Sequence, residues 1–336
     1  MDYIIRTITK YILVLFLVSP AIAVQYFTPE EAAKSYSITA PYTTTDGVAG
    51  GGLVPHAYLS GVSHWPNPEG NMKIVNKPRL ATWYVSLPEA DLNWFSIGGN
   101  ITMFNRLELG FAENYINIDE PASIATSEMG LDLDNNLVAL SSKLLLVKEE
   151  KWLPEISIGA VYKYTNFDNL EVFEHEGKEM YSNNKGIDFF GVASKMFFIP
   201  LPHMALPLPL FMNAGVKSTK AQQLGVVGFG DERDEVFFGS TSILVPANII
   251  FPFIKNGLFI FGFEYVDDVD VGMNSLGPMK TNRQYDVHIV YDTNKNLAFI
   301  LSYLNTGNSD FKKSVKNNLN SSGLGDGFTL SVQYKF

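Results

Sequence analysis

The chain has no cysteine among its 336 residues. That excludes disulfide staples, thiol nucleophiles, cysteine-ligated metals and a lipid carried on a cysteine behind an export signal. A basic surplus is missing too: 25 Lys and Arg face 35 Asp and Glu, a formal charge of −10. Nucleic acid, which is bound by a basic face, is therefore not an expected partner. Histidine is scarce, with His56, His64, His175, His203 and His288 scattered along the chain. No H-E-x-x-H, no G-x-S-x-G elbow and no metal-ligand spacing emerge. No metal, no cofactor and no catalytic residue is expected, and the chain does not read as an enzyme. Asp286 and His288 would share a strand face, and a hydrogen-bonded structural pair explains them more simply than a catalytic one.

Long apolar runs are also lacking. Arg6 and Lys10 precede the apolar run Tyr11 to Val18, and Ser19-Pro20-Ala21-Ile22-Ala23 supplies a small-residue cleavage site. This is the layout of a signal peptide over residues 1–23, too short to span a bilayer. Beyond it no 18-residue apolar window exists. The densest run, Ile243 to Phe263, is interrupted by Pro246, Pro252, Lys255, Asn256 and Gly257. No helix can cross a membrane on this pattern, so integration would require a closed barrel, whose strands satisfy every backbone group.

What is present is alternation. In the last ten residues Phe328, Leu330, Val332, Tyr334 and Phe336 share one face of an extended strand, and Thr329, Ser331, Gln333 and Lys335 the other. A strand with lipid on one side and water on the other has this pattern. It recurs over 80–88, 92–104, 106–116, 137–148, 154–165, 186–198, 208–218, 235–248, 257–266, 284–292, 296–306 and 327–336. The links alternate between short ones and long polar ones, apart from the short Pro88 to Asp91. The expected fold is all-β, a transmembrane antiparallel up-and-down barrel of about 12 strands over residues 79–336. The count becomes 14 if 37–46 and 53–62 add a hairpin. Residues 24–78 are irregular, with a short helix near Pro29 to Ser35 and a glycine run from Gly47 to Gly52. They would form a plug, a periplasmic segment or that extra hairpin.

The inward phase places Arg106, Glu108, Lys143, Glu155, Lys163, Lys195, Asn213, Lys217, Glu264, Asp286, His288, Gln333 and Lys335 along the lumen. The four lysines on consecutive strands lie at different heights, so cross-lumen ion pairs with Glu108, Glu155, Glu264 and Asp286 fit better than an anion-selecting ring. Acidic stretches at Asp119-Glu120, Asp168 to Glu179, Asp231 to Glu235 and Asp267 to Asp270 would be solvated loops.

Lys151-Trp152-Leu153-Pro154-Glu155-Ile156, Phe211 to Gly230 and Tyr285 to Gly307 resemble segments of one family, as do Asp46 to Pro55 and Arg106 to Ala112. It is a domain-of-unknown-function family of proteobacterial outer-membrane β-barrel proteins. The resemblance implies location and architecture and transfers no substrate or site residue. The chain departs from the family pattern before Asp46 and in the Pro-rich turn Ile199 to Pro209. The expected role is a channel or transporter for small solutes in the bacterial outer membrane. The alternative is a structural or adhesive barrel acting through acidic loops. Expected partners are outer-membrane lipid and lipopolysaccharide, an unidentified small solute, and barrel-assembly machinery engaging the strand from Phe328 to Phe336.

Overall fold

The computed structural model describes residues 41–62, 74–90, 92–118, 135–166, 173–175, 178–180, 184–199, 207–226, 228–274, 277–293, 296–307 and 324–336. Twelve strands form one closed antiparallel barrel. They are β1 Arg79–Leu87, β2 Leu92–Met103, β3 Leu107–Ile118, β4 Asn135–Val147, β5 Glu155–Asn166 and β6 Lys185–Ile199. The wall continues with β7 Leu208–Ala221, β8 Phe229–Pro246, β9 Leu258–Val266, β10 Gln284–Asp292, β11 Leu297–Asn305 and β12 Asp326–Lys335. Each strand pairs with its sequence neighbours. β12 returns to β1 through eight residue pairs, from Phe328↔Ser86 to Lys335↔Arg79, so no edge is left open.

Alternation builds the wall. On β12, Phe328, Leu330, Val332 and Tyr334 are exposed while Thr329, Ser331, Gln333 and Lys335 are buried. The same two-residue rhythm leaves Leu109, Phe111, Leu140, Val287, Leu301 and Tyr303 on the outside. Among the described residues no helix is long and apolar enough to cross a membrane, which does not bear on crossing by strands.

The expected count of 12 strands holds, and the alternative of 14 does not. Residues 42–43 and 49–50 pair only with each other, outside the barrel sheet, and only an isolated Gly50–Pro55 bridge follows. Pro41 and Pro55 lack ladder donors, and the glycines between carry no side chains to pack a wall. The helix expected near Pro29 lies outside the described residues. A second correction concerns Asp231 to Glu235, which lie within β8 and not in a loop. There both faces carry charge, so apolar alternation disappears while the hydrogen-bond ladder continues. A hairpin of 269–274 and 277–281 packs beside this extension. The Asp270 amide donates to Asp234 Oδ2 at 2.7 Å, and a side chain on Gly230 would collide with the Val271 carbonyl.

The interior is filled. Near the short-link end Trp83, Met196, Phe198, Phe211, Leu244 and Ile260 close around Tyr42 and Tyr58. At mid-height Ala112, Ala139, Val161, Phe190 and Phe238 pack against Val48, Val54 and Ala57. At the long-loop end Leu87, Trp94 and Leu137 meet Val226 and Leu324 from the loops.

Candidate functional site in the barrel interior

Residues 41–62 form a folded-back segment inside the barrel, and wall side chains take up its backbone hydrogen bonds. It enters at the short-link end, where the Arg79 guanidinium donates to the Pro41 carbonyl. Thr43 is held on both sides. Its amide donates to Gln333 Oε1 at 3.0 Å, and its carbonyl accepts from Trp83 Nε1 at 2.9 Å. The tip at Asp46-Gly47 reaches the long-loop half, where Asn114 donates to the Thr45 carbonyl at 3.2 Å. Gly47 adopts φ +77°, and a Cβ there would run into the backbone of Phe111, so the turn requires glycine.

Glu108 and Lys143, partners across the β3–β4 ladder, form the central clamp. Glu108 accepts from the Ala49 amide at 2.9 Å and the Ser60 amide at 2.7 Å. Lys143 Nζ donates to the carbonyls of Ala49, His56 and Tyr58 at 2.9, 3.0 and 2.9 Å and stands 3.3 Å from Glu108. On the opposite wall Glu264 Oε2 accepts from the Gly52 and Leu53 amides at 2.8 and 2.5 Å. Ser194 accepts from the Ala57 amide at 2.8 Å, Ser157 donates to the Ala57 carbonyl at 2.7 Å, and Asn213 donates to the Pro55 carbonyl at 3.0 Å. An extended chain without a ladder partner would otherwise bury unpaired amides at a cost of about 1–3 kcal/mol each.

The expected lumen residues divide. Glu108, Lys143, Glu155, Lys163, Asn213, Glu264, Asp286, His288, Gln333 and Lys335 are buried in the interior, and Lys217 is half-buried there near Asp188. Two are elsewhere. Arg106 is exposed in the β2–β3 turn and donates to the carbonyls of Leu145 and Leu146. Lys195 belongs to the outward phase of β6, whose even-numbered residues Asp188 to Phe198 face in. Lys195 turns to the 148–154 link, pairing with Glu149 at 3.2 Å and donating to the Leu153 carbonyl at 3.1 Å. Arg106 lies in the turn before β3, beyond the reach of alternation, whereas Lys195 sits within β6 and the sequence reading gave it the wrong parity.

Of the expected ion pairs, Lys143 with Glu108 forms, and the other lysines take different partners. Lys163 meets Asp46 at 2.9 Å and Asp188 at 3.1 Å, and it donates to the Leu224 carbonyl at 2.9 Å. Lys335 meets Asp292 at 3.1 Å, and His288 Nδ1 lies 2.8 Å from Asp286. Asp46, Glu149, Asp188 and Asp292 escaped the sequence reading. Asp188 and Asp292 share the inward parity of their strands, a signal that was there to be used. Burial pushes the Glu149 carboxyl up to about 7, against the pull of Lys195 and the Tyr58 hydroxyl that donates to it. Burial also lowers the His56 imidazole, which favours its neutral form beside Glu264.

A closed β-barrel with an apolar exterior and a backbone segment gripped inside by polar wall residues defines a plugged barrel. Over residues 39–318 the chain matches the family described as "Protein of unknown function (DUF3034)", and it belongs to that family. No curated protein matches it by sequence. Among solved structures it is similar to the NanC porin (8% identity, 77% of this chain and 98% of that one, TM-score 0.41). Another is the outer membrane protein Omp33 of Acinetobacter baumannii (9% identity, 78% and 99%, TM-score 0.38). A third is the transport unit of the autotransporter AIDA-I from Escherichia coli (8% identity, 81% and 93%, TM-score 0.39).

Proposed function

We propose that the protein is an outer-membrane barrel closed at rest by residues 41–62, and that it passes small solutes when this segment is displaced. The apolar outer face supports the membrane location, because more than thirty large hydrophobic side chains stand exposed on the described residues. The observation that carries the gated reading is the mid-height grip on the segment. Glu108, Lys143 and Asn213 hold its backbone, and Glu264 holds both its backbone and the His56 imidazole, through groups that water would satisfy equally well if the segment left. A permanent filling is served at least as well by apolar packing, since buried ionic groups are expensive to keep.

One observation favours a sealed structural or adhesive barrel. The apolar clusters at both ends would be wetted by displacement. Planar-bilayer recordings separate the two. Gly51 has no room for a side chain, because a Cβ would strike the Glu264 carboxylate. Gly51→Leu should therefore expel the segment, and so should deletion of 41–62. The gated reading expects a quiet wild type and ion steps from either variant, with solute entry into liposomes raised about tenfold or more. Correctly folded variants that stay silent would sink the gate and leave the sealed barrel.

A further inference from the structure

Glu264 and Asp286 face each other across the β9–β10 ladder, and His288 follows on the same face of β10. One ligand atom from each lies within 4.8 Å of the others, and all three residues are buried. Among the described residues neither carboxylate has a lysine or arginine at ion-pair distance. Their nearest side-chain partners are imidazoles, His288 Nδ1 at 2.8 Å from Asp286 and His56 Nε2 at 3.7 Å from Glu264. Glu264 is fully buried, and its Oε2 is spent on the Gly52 and Leu53 amides, while Oε1 has no hydrogen-bond partner among the described residues.

Two further features favour a small cation. A cavity of about 10 Å³, lined by Gly51, Gly52, Asp286, His288 and Ser302 among others, adjoins the cluster. This is the size of a single water or ion and no larger. His288 Nε2 presses against Gly262, where an added Cβ would strike it, so Nδ1 is the nitrogen turned toward the carboxylates. The glycines at 51, 52 and 262 thus clear the space around three convergent ligands.

We propose that Glu264, Asp286 and His288 bind one divalent transition-metal ion, with His56 of the inner segment within reach as a fourth ligand. Two carboxylates and one or two imidazoles suit Zn²⁺, Mn²⁺ or Fe²⁺, whereas Ca²⁺ requires six to eight oxygens. Two ligands each about 2.1 Å from an ion stand at most about 4.2 Å apart, so small side-chain rotations complete the site. The ion would replace the long His56–Glu264 contact with bonds that join β9, β10 and the inner segment. This inference does not depend on whether the lumen conducts.

The test is calorimetric titration of ZnCl₂ into the tag-free mature protein, EDTA-treated and folded in detergent, with bound zinc counted by mass spectrometry. One ion per chain is expected, with affinity reduced at least about tenfold in Asp286→Asn and in His288→Gln. Asp292→Asn, on the same strand and paired instead with Lys335, should bind zinc like the wild type. Co²⁺ should give visible absorption that the first two variants lose, and heat-shifted gel mobility confirms that each variant is folded. Failure of the folded wild type to take up stoichiometric zinc would overturn the proposal, as would unchanged affinity in the Asp286→Asn/His288→Gln double variant.

Discussion

At the scale of single residues, the interior is ordered by side chains that each hold several backbone atoms. Lys143 is the extreme case, a fully buried ammonium serving three carbonyls and one carboxylate. Lys143→Met should cost about 3–5 kcal/mol, because it strands the Glu108 charge as well as three carbonyls. Adding Glu108→Gln should recover part of that loss. Urea unfolding in detergent micelles measures both, and a single variant as stable as wild type would contradict the clamp. The alternation made ten of the buried positions legible, since parity alone decides which way a mid-strand side chain points. Arg106 was misplaced because it stands in a turn before its strand, and Lys195 because β6 was read one residue out of phase. The partners were illegible: Lys163 finds Asp46 from 117 positions away, a contact that depends on where an irregular segment folds.

At the scale of elements, the 148–154 link ties the inner segment to the short-link end of the wall through the Tyr58 side chain. Glu149 accepts from the Tyr58 hydroxyl and the Met196 amide and pairs with Lys195. Its carboxyl is raised from 4.5 to about 7 in the fold. The protonated form is therefore favoured on folding. That contribution is fully present below about pH 4.5 and is lost as pH rises through about 7, on the order of 3 kcal/mol. Tyr58 and its neighbours should exchange amide hydrogens faster at pH 8 than at pH 5, beyond the intrinsic rate change, and Glu149→Gln should abolish the excess. An excess that persists in Glu149→Gln would assign the effect to another group. The strand list read from the sequence matched the wall closely where apolar alternation ran. It fell short at β7 and β8, whose upper ends continue as ladder after both faces turn polar. In the sequence Gly51 and Gly52 were part of an irregular glycine run with no assigned contact. Inside the barrel they are the close approach that lets two consecutive amide hydrogens reach one carboxylate.

For the whole molecule, the account depends on residues 41–62 occupying the barrel. The apolar exterior could be read from a two-residue rhythm, but a plug was only one of three readings left open for residues 24–78, because no periodicity marks a segment whose hydrogen bonds go to side chains. The absence of cysteine makes the direct measurement clean. The Ala57 amide lies 2.8 Å from Ser194 Oγ, a spacing that brings Cα atoms within disulfide range. Ala57→Cys/Ser194→Cys should therefore cross-link in intact cells upon mild oxidation, while either single variant gives no intramolecular bond. If the double variant reaches the membrane folded and its two thiols stay reducible and freely alkylated, the inner segment is not where this account puts it.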